Sequence, residues 1–316
     1  MFPIVARLCG LSAAVFCGAS LAQDFPNRPL RIVTSEAGGG NDLQARLVAR
    51  GLANALGQQV IVENRPSGVI PGDIVAKANA NGYTLLLYNN ALWIAPLMQA
   101  APYDPVKDFA PVTTTASAPN VLVVNAALPA KSVAELIAIA ASKPGELNYG
   151  SAAAGASNHL AAELFKSMAR VNIVRVGYKG AAQAMNDLIA GQVQLMFPTA
   201  GAAAPHVRAG RVRALAVTST EPSPLVPGLP TVAASLPGYE SIAVYGLFVP
   251  ARTPQAVINR LHKETVQVLN APDVREKLLG AGVEVIGDAP YQLAARVRSE
   301  MTRLGKVIRE AGIRSN

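Results

Sequence analysis

The chain has 316 residues and a net charge of +8, with 51% apolar residues and only 15% charged ones, against roughly 25% charged in an average soluble chain. Its basic residues are scattered and form no run interleaved with aromatics, which argues against a nucleic-acid groove and for a positive envelope that draws anions toward a cleft. Both cysteines, Cys9 and Cys17, lie in the first 22 residues, so the rest of the chain has no disulfide, no thiolate nucleophile and no sulfur-bound zinc.

Residues 1–22 read as a secretory signal. Arg7 supplies the charged start, Leu8 to Ala22 is uncharged and apolar, and Ser20-Leu21-Ala22 offers small residues for cleavage before Gln23. That apolar run has 15 residues, short of the roughly 20 that a membrane span needs. The remainder is long enough for two domains at roughly 150 residues each.

The first structural unit is a strand, Leu30 to Thr34, followed by Ser35-Glu36-Ala37-Gly38-Gly39-Gly40 and a helix opened by Asn41 or Asp42. Leu43, Leu47, Leu52 and Leu56 give that helix an apolar face, and Gly57 stops it. Strands at Gln59–Glu63 and Thr84–Tyr88 follow. The run Val121 to Val124 leads to a capping box at Ser132-Val133-Ala134-Glu135. A second strand, Leu147 to Tyr149, then passes through Gly150-Ser151-Ala152-Ala153-Ala154-Gly155-Ala156 into a helix opened by Ser157 or Asn158. Further strands are expected near Ile173, Gln194 and Val212. The proline-rich stretch Glu221 to Pro230 is a connector. Beyond it come a strand at Ile242–Val249, a helix from Thr253-Pro254, and a last helix with Leu293, Val297, Met301, Leu304 and Ile308 on one side. This alternation predicts an α/β fold with largely parallel strands. One half is expected to comprise 23–124 and 220–316, the other 125–219.

The two strand-to-helix passages carry the functional signal. Side-chain-poor backbone at a helix start presents N–H groups at the positive end of the helix dipole, a ready site for an anion. Two such ends in separate halves imply a cleft that grips an anion from both sides. The candidate ligand contacts are Ala37, Gly38, Gly39, Gly40, Asn41 and Asp42 in the first half, and Ser151, Ala154, Gly155, Ser157, Asn158 and His159 in the second. The bland alternative for each glycine run is a tight turn, and Asp42 caps a helix start while repelling an anion. Tyr178-Lys179-Gly180, Phe197-Pro198-Thr199 and Tyr88-Asn89-Asn90 follow other strands and would line the same mouth, with Tyr178, Phe197, Thr199 and Asn90 as contacts. Trp93 is expected in the core. A bulky β-branched residue at Gly39 is expected to close the first anion site.

Catalytic and cofactor signals are thin. His159 and Glu163 lie four apart on one helix without a third metal ligand nearby in sequence. Gly155-Ala156-Ser157 begins like a nucleophile elbow, but His159 stands where glycine is needed, and Ser157 reads better as a helix N-cap. No dinucleotide or Gly-Lys-Ser/Thr phosphate motif occurs, and no cofactor or metal is expected.

Ordered segments across nearly the whole chain resemble the periplasmic solute-binding proteins of the tripartite tricarboxylate transporter group, the Bug proteins. The resemblance lies in Phe25-Pro26-Asn27-Arg28-Pro29-Leu30-Arg31-Ile32-Val33, Gly38-Gly39 through Asp42 and Ala45-Arg46, and Val62-Glu63-Asn64-Arg65-Pro66. It continues through Gly82-Tyr83-Thr84-Leu85, Pro102-Tyr103-Asp104-Pro105, Leu147 to Ser151 with His159-Leu160, Tyr178-Lys179-Gly180, Gly191-Gln192-Val193, Leu215 to Ser219, Pro237 to Glu240 and Pro272 to Arg275. It implies a two-lobed Venus-flytrap fold with the chain crossing between lobes, periplasmic localisation, no catalysis and no cofactor. It also implies a small organic carboxylate held by backbone N–H groups of the two loops and delivered to the membrane permease subunits of the transporter, with a monomeric receptor as the default. The chain departs from the family's usual pattern at Thr34-Ser35-Glu36-Ala37, Ser67 to Pro71, Asn81, Pro198 and Tyr245. The competing expectations are an orphan receptor reporting to a membrane sensor, and a secreted hydrolase using Ser157 and His159.

Overall fold

The computed structural model describes residues 25–151, 156–178 and 180–310. The expected signal at 1–22 and the candidates Ala154, Gly155 and Lys179 lie outside the described residues. From the start of the description the chain runs β1 (Leu30–Thr34), α1 (Gly40–Leu56), β2 (Val60–Asn64), α2 (Ile70–Ala76), β3 (Thr84–Asn89), α3 (Ala91–Ile94) and β4 (Phe109–Pro119). Next come β5 (Val121–Asn125), α4 (Val133–Ser142), β6 (Asn148–Ser151), α5 (Ser157–Ala169), β7 (Val174–Gly177), α6 (Ala181–Ile189), β8 (Leu195–Met196), α7 (Ala200–Arg208) and β9 (Val212–Val217). It ends with β10 (Ile242–Pro250), α8 (Gln255–Asn270), α9 (Pro272–Gly280), β11 (Glu284–Val285) and α10 (Pro290–Glu310).

These strands form two sheets, ordered β11-β4-β10-β3-β1-β2 and β7-β6-β8-β5-β9. Each is mixed, which corrects the expectation of largely parallel strands. The βα units give parallel neighbours, β1 with β2 and β3, and β6 with β7 and β8. The strands next to the crossings run antiparallel: β10 with β3 and β4, and β5 with β8 and β9. Two α/β lobes with chain crossings between them form the Venus-flytrap architecture.

The crossing lies earlier than the expected 124/125 division. Only Asn120 separates β4 of the first sheet from β5 of the second. Val121 to Asn125 carries alternating core positions and a ladder to β9, so the strand belongs to the second lobe. The return falls near Ser241 rather than 219/220. The Thr218 N–H bonds Asn120 O at 2.9 Å and the Ser241 N–H bonds Thr218 O at 2.9 Å, which lays the two crossings side by side. The connector between them packs on the second lobe through Leu225, Val226 and Leu229, and through the fully buried Val232 and Tyr239.

Both terminal helices cover the first sheet. Leu261 of α8 joins Ile32, Leu52 and Leu247 on one face, and Leu293 of α10 joins Val33, Leu86, Trp93 and Phe248 on the other. Trp93 is fully buried, and its indole N–H donates to Glu300 of α10 at 2.9 Å. Burial raises the Glu300 carboxyl above its ordinary value, and that bond restrains the rise. In α1 the buried face is Gln44, Ala45, Val48, Ala49 and Leu52, rotated from the expected leucine stripe, and Gly57 ends the helix in the left-handed region at φ 63°.

Candidate functional site

At the carboxyl end of β1 the chain turns through Ser35 to Gly39 and enters α1 at Gly40. Gly39 is the N-cap, and no side chain caps the helix, so Asn41 and Asp42 stand inside it rather than opening it as expected. The loop owes its shape to Gly38, whose φ of 86° favours glycine, and to Asp42, whose carboxylate accepts the Gly38 N–H at 3.0 Å. Asp42 also accepts from Arg46 Nε at 3.0 Å and from Asn64 Nδ2 at 2.8 Å, and Asn64 Nδ2 reaches Ser35 O at 2.7 Å. Burial pushes the Asp42 carboxyl up, but the bonds from Arg46, Gly38 and Asn64 outweigh it and hold the group below the usual carboxylate range. Asp42 therefore braces the loop from behind, and the first N–H groups of α1, which have no intrahelical acceptor, remain for an anion.

Asp42→Ala is expected to cost about 2 kcal/mol of stability, since hydrogen bonds to an ionised group carry that much. The depressed folded value means that this contribution is present above the unfolded carboxyl value and is lost as pH falls through the folded one. Urea unfolding of wild type and variant at neutral pH checks the magnitude.

The second lobe repeats the arrangement. Beyond β6, Ala156 is the N-cap of α5 and Ser157 its first residue, which corrects the expectation of Ser157 as cap. Asn158 occupies the second helical position, as Asn41 does in α1. Both asparagines are more than nine-tenths buried, and in each the side-chain Oδ1 has no partner. Asn41 Nδ2 is anchored on Ser35 Oγ at 2.9 Å. Two further helix starts meet them: α6 behind its N-cap Gly180 and α7 behind its N-cap Thr199.

A cavity of about 470 Å³ lies between the lobes where these four starts converge. Ala37, Gly38, Gly39, Gly40, Asn41, Ser157, Asn158 and Thr199 of the sequence candidates line it. The other described candidates lie behind it. Asn90 is buried with its amide donating to Ile242 O at 3.0 Å, while Asn89 takes the expected place on the wall. Ser151 Oγ accepts from Arg175 Nε at 2.9 Å. Tyr178 donates to Asp187 at 2.8 Å, and burial with that carboxylate pushes its phenol up to about 12. Phe197 is core, with its ring centroid 5.7 Å from that of Phe165.

Tyr88 and Pro198 join the lining from the two strand ends expected at the mouth, whereas Ser67-Gly68, Ala91, Ala95, Ala181, Ala182 and Ala202 were not foreseen from sequence. Tyr88 stands near the carboxyl end of β3, and its hydroxyl accepts from Gly68 N at 2.9 Å. Glu36 also lines the cavity and accepts from Ser67 Oγ. The neighbouring Gly40 is the more tightly enclosed of the two glycines. A Cβ on Gly39 would meet only Glu36 O at 3.8 Å, whereas on Gly40 it would lie 2.8 Å from the buried Tyr245 hydroxyl.

His159 is buried in the first turn of α5. Burial and the nearby Arg175 charge lower its imidazole to about 4, with Glu163 opposing the shift, so it is neutral at neutral pH. Glu163 is engaged by Tyr149 and by Lys166 Nζ at 2.8 Å. Among the described residues no group of three or more His, Cys, Asp or Glu side chains is placed to hold a metal ion. Ser157 and His159 stand two apart on one helix, a spacing whose side chains do not face each other, so they do not form a nucleophile–base pair. A larger depression of about 600 Å³, lined by Lys77, Lys107, Asp108 and Arg252, belongs to the first lobe alone and meets none of the four helix starts.

The comparisons with known proteins agree with this geometry. The family model described as the tripartite tricarboxylate transporter family receptor matches residues 44–313. A protein encoded in the tcbD-tcbE intergenic region of Pseudomonas sp. strain P51 is 37% identical over 318 residues, covering 98% of this chain and 95% of its own. The structure of Rpa4515 from R. palustris with adipate has a TM-score of 0.83 at 37% identity, covering 92% of this chain and 99% of that one. MatC from Rhodopseudomonas palustris with bound malate has a TM-score of 0.80 at 30% identity, covering 90% and 100%. No helix among the described residues is long and apolar enough to cross a membrane. Two lobes, paired helix starts at one cleft and a family match over most of the length lead to one assignment: the chain belongs to the receptor family of the tripartite tricarboxylate transporters.

Proposed function

We propose that the protein is a periplasmic receptor that captures a small organic carboxylate in the interlobe cavity and delivers it to the permease subunits of a tripartite tricarboxylate transporter. The observation that carries this reading is the convergence of α1 and α5 on one cavity, each with free N-terminal N–H groups and a buried asparagine at its second position. A carboxylate placed there takes hydrogen bonds from both lobes at once, and closure removes it from water, which strengthens those bonds. The cavity volume of about 470 Å³ suits a small acid. The adipate and malate bound by the two related structures belong to this chemical class. The net charge of +8 favours anion encounter.

The test is a thermal-shift screen against mono-, di- and tricarboxylates, adipate and malate included, with the matching amides as controls. A ligand at a hundred times its Kd stabilises the folded state by about 2.7 kcal/mol, which for a chain of this size raises Tm by about 4 °C. An acid that gives this shift while its amide gives none supports the reading. No shift with any acid removes it.

A further inference from the structure

Helix α7 stands between the cavity and the opposite lobe. On one side Thr199 and Ala202 line the cavity. On the other, the backbone of Ala200-Gly201 rests on that of Ala281-Gly282, in the turn between α9 and β11. A Cβ on Gly201 would lie 2.1 Å from the Ala281 carbonyl oxygen and 2.9 Å from Gly282 N. A Cβ on Gly282 would lie 2.1 Å from Gly201 N and 2.3 Å from its Cα, and Gly282 has a φ of 73°. The contact therefore has no room for a side chain on either partner.

Its two ends belong to different lobes. Ala200 sits in a second-lobe core with Val121 and Met196, whereas Ala281 packs on the first-lobe core around Leu278. The same strip of the first lobe is held a second time, where Ser223 of the connector donates to Glu284 at 3.1 Å. The start of α7 is also tied to the crossing, through the Val121 N–H to Pro198 O at 2.8 Å and a bridge between Asn120 and Thr199.

We propose that the Gly201–Gly282 contact is the seat on which the lobes close, and that both glycines are positioning residues for ligand capture. Bare backbone on both sides lets α7 descend until Thr199 and Ala202 wall the cavity. A Cβ at Gly201 needs roughly 3.5 Å from the Ala281 oxygen, so the lobes must part there by more than about 1 Å. The positioning role rests on reading the cavity as the binding site, but the contact can be tested without a ligand.

The experiment places Ser223→Cys and Glu284→Cys in the chain from Gln23 onward, which has no other cysteine. Dibromobimane, which bridges two neighbouring thiols, then reports how often the lobes meet. Gly201→Val is expected to slow bridging at least tenfold and Gly201→Ala to slow it less. Gly280→Ala, where an added Cβ meets nothing within 4 Å, is the control and should bridge at the parent rate. Circular dichroism verifies that each variant is folded, and Gly201→Ala decides the matter if the valine variant is not. Equal bridging rates for the folded Gly201 variants and the control overturn the proposal. In a second arm, adipate titrated against melting temperature should need at least tenfold higher concentration in Gly201→Val than in Gly280→Ala, and equal titrations overturn the positioning role. If no acid moves the parent while bridging still depends on Gly201, the closure seat stands and the receptor reading fails.

Discussion

Gly40→Val is expected to weaken carboxylate binding about a hundredfold while leaving the lobes folded. The position is the first residue of α1, and its missing side chain accommodates the Tyr245 hydroxyl, which a Cβ would approach to 2.8 Å. Tyr245 is buried in β10 with its backbone paired to Asn89, so the ring has little freedom to withdraw. Burial pushes its phenol up to about 12, so it stays neutral and adds no charge to the site. A β-branched residue therefore moves the helix start, and with it the N–H groups aimed at the anion. Hydrogen bonds to an ionised group are worth about 1.5–3 kcal/mol each, and each 1.4 kcal/mol is tenfold in Kd, so misaligning two of them gives the expected loss. Isothermal titration with the acid identified by thermal shift measures it. A Gly280→Val variant, outside the cavity and with its Cβ meeting nothing within 4 Å, should bind as the parent does. Equal losses at the two positions would contradict the account of how the loop is held.

Stability should fall by about 2.5 kcal/mol between pH 7 and pH 4.5 because of His159 alone, given an unfolded value near 6.5. Burial, aided by the Arg175 charge, lowers the folded value to about 4. Between those values the unfolded chain binds a proton that the folded chain refuses, so stability rises with pH across the window and is fully present above about 6.5. Glu300, with its raised carboxyl, acts in the opposite direction, so the comparison must be made against a variant rather than read from wild type alone. In His159→Gln, urea unfolding at the two pH values should show the fall reduced by that amount. An identical pH dependence in the variant would mean that His159 titrates normally. The consequence for function is a start of α5 whose support weakens in acid, because His159 follows the cavity-lining Asn158 there.

The sequence made the two strand-to-helix loops visible because small residues between an apolar strand and an amphipathic helix are a local signal. It also placed the terminal helices and Trp93, since their apolar spacing is local too. Residues that depend on one step of register were harder to place. Asn89 rather than Asn90, and Pro198 rather than Phe197, face the cavity, because adjacent residues at a strand end point to opposite sides. Asp42 looked like a cap and proved to be a brace, because its partner Asn64 comes from β2. The crossing at Asn120 lay a few residues before the expected division, because pairing with β8 and β9, and no local pattern, assigns Val121 to Asn125 to the second lobe. Gly201 lies in an alanine-rich run where nothing local distinguishes it from its neighbours, and its need for glycine comes from Ala281 and Gly282, which lie in the other lobe.

The most direct test of the central claim is backbone amide hydrogen exchange, measured residue by residue with and without a stabilising acid. Binding is expected to slow the amides of Gly39 to Asn41 and of Ser157 to Asn158 together, since both lobes donate to one carboxylate. Slowing confined to one lobe, or located at the Lys77–Arg252 depression instead, would contradict it.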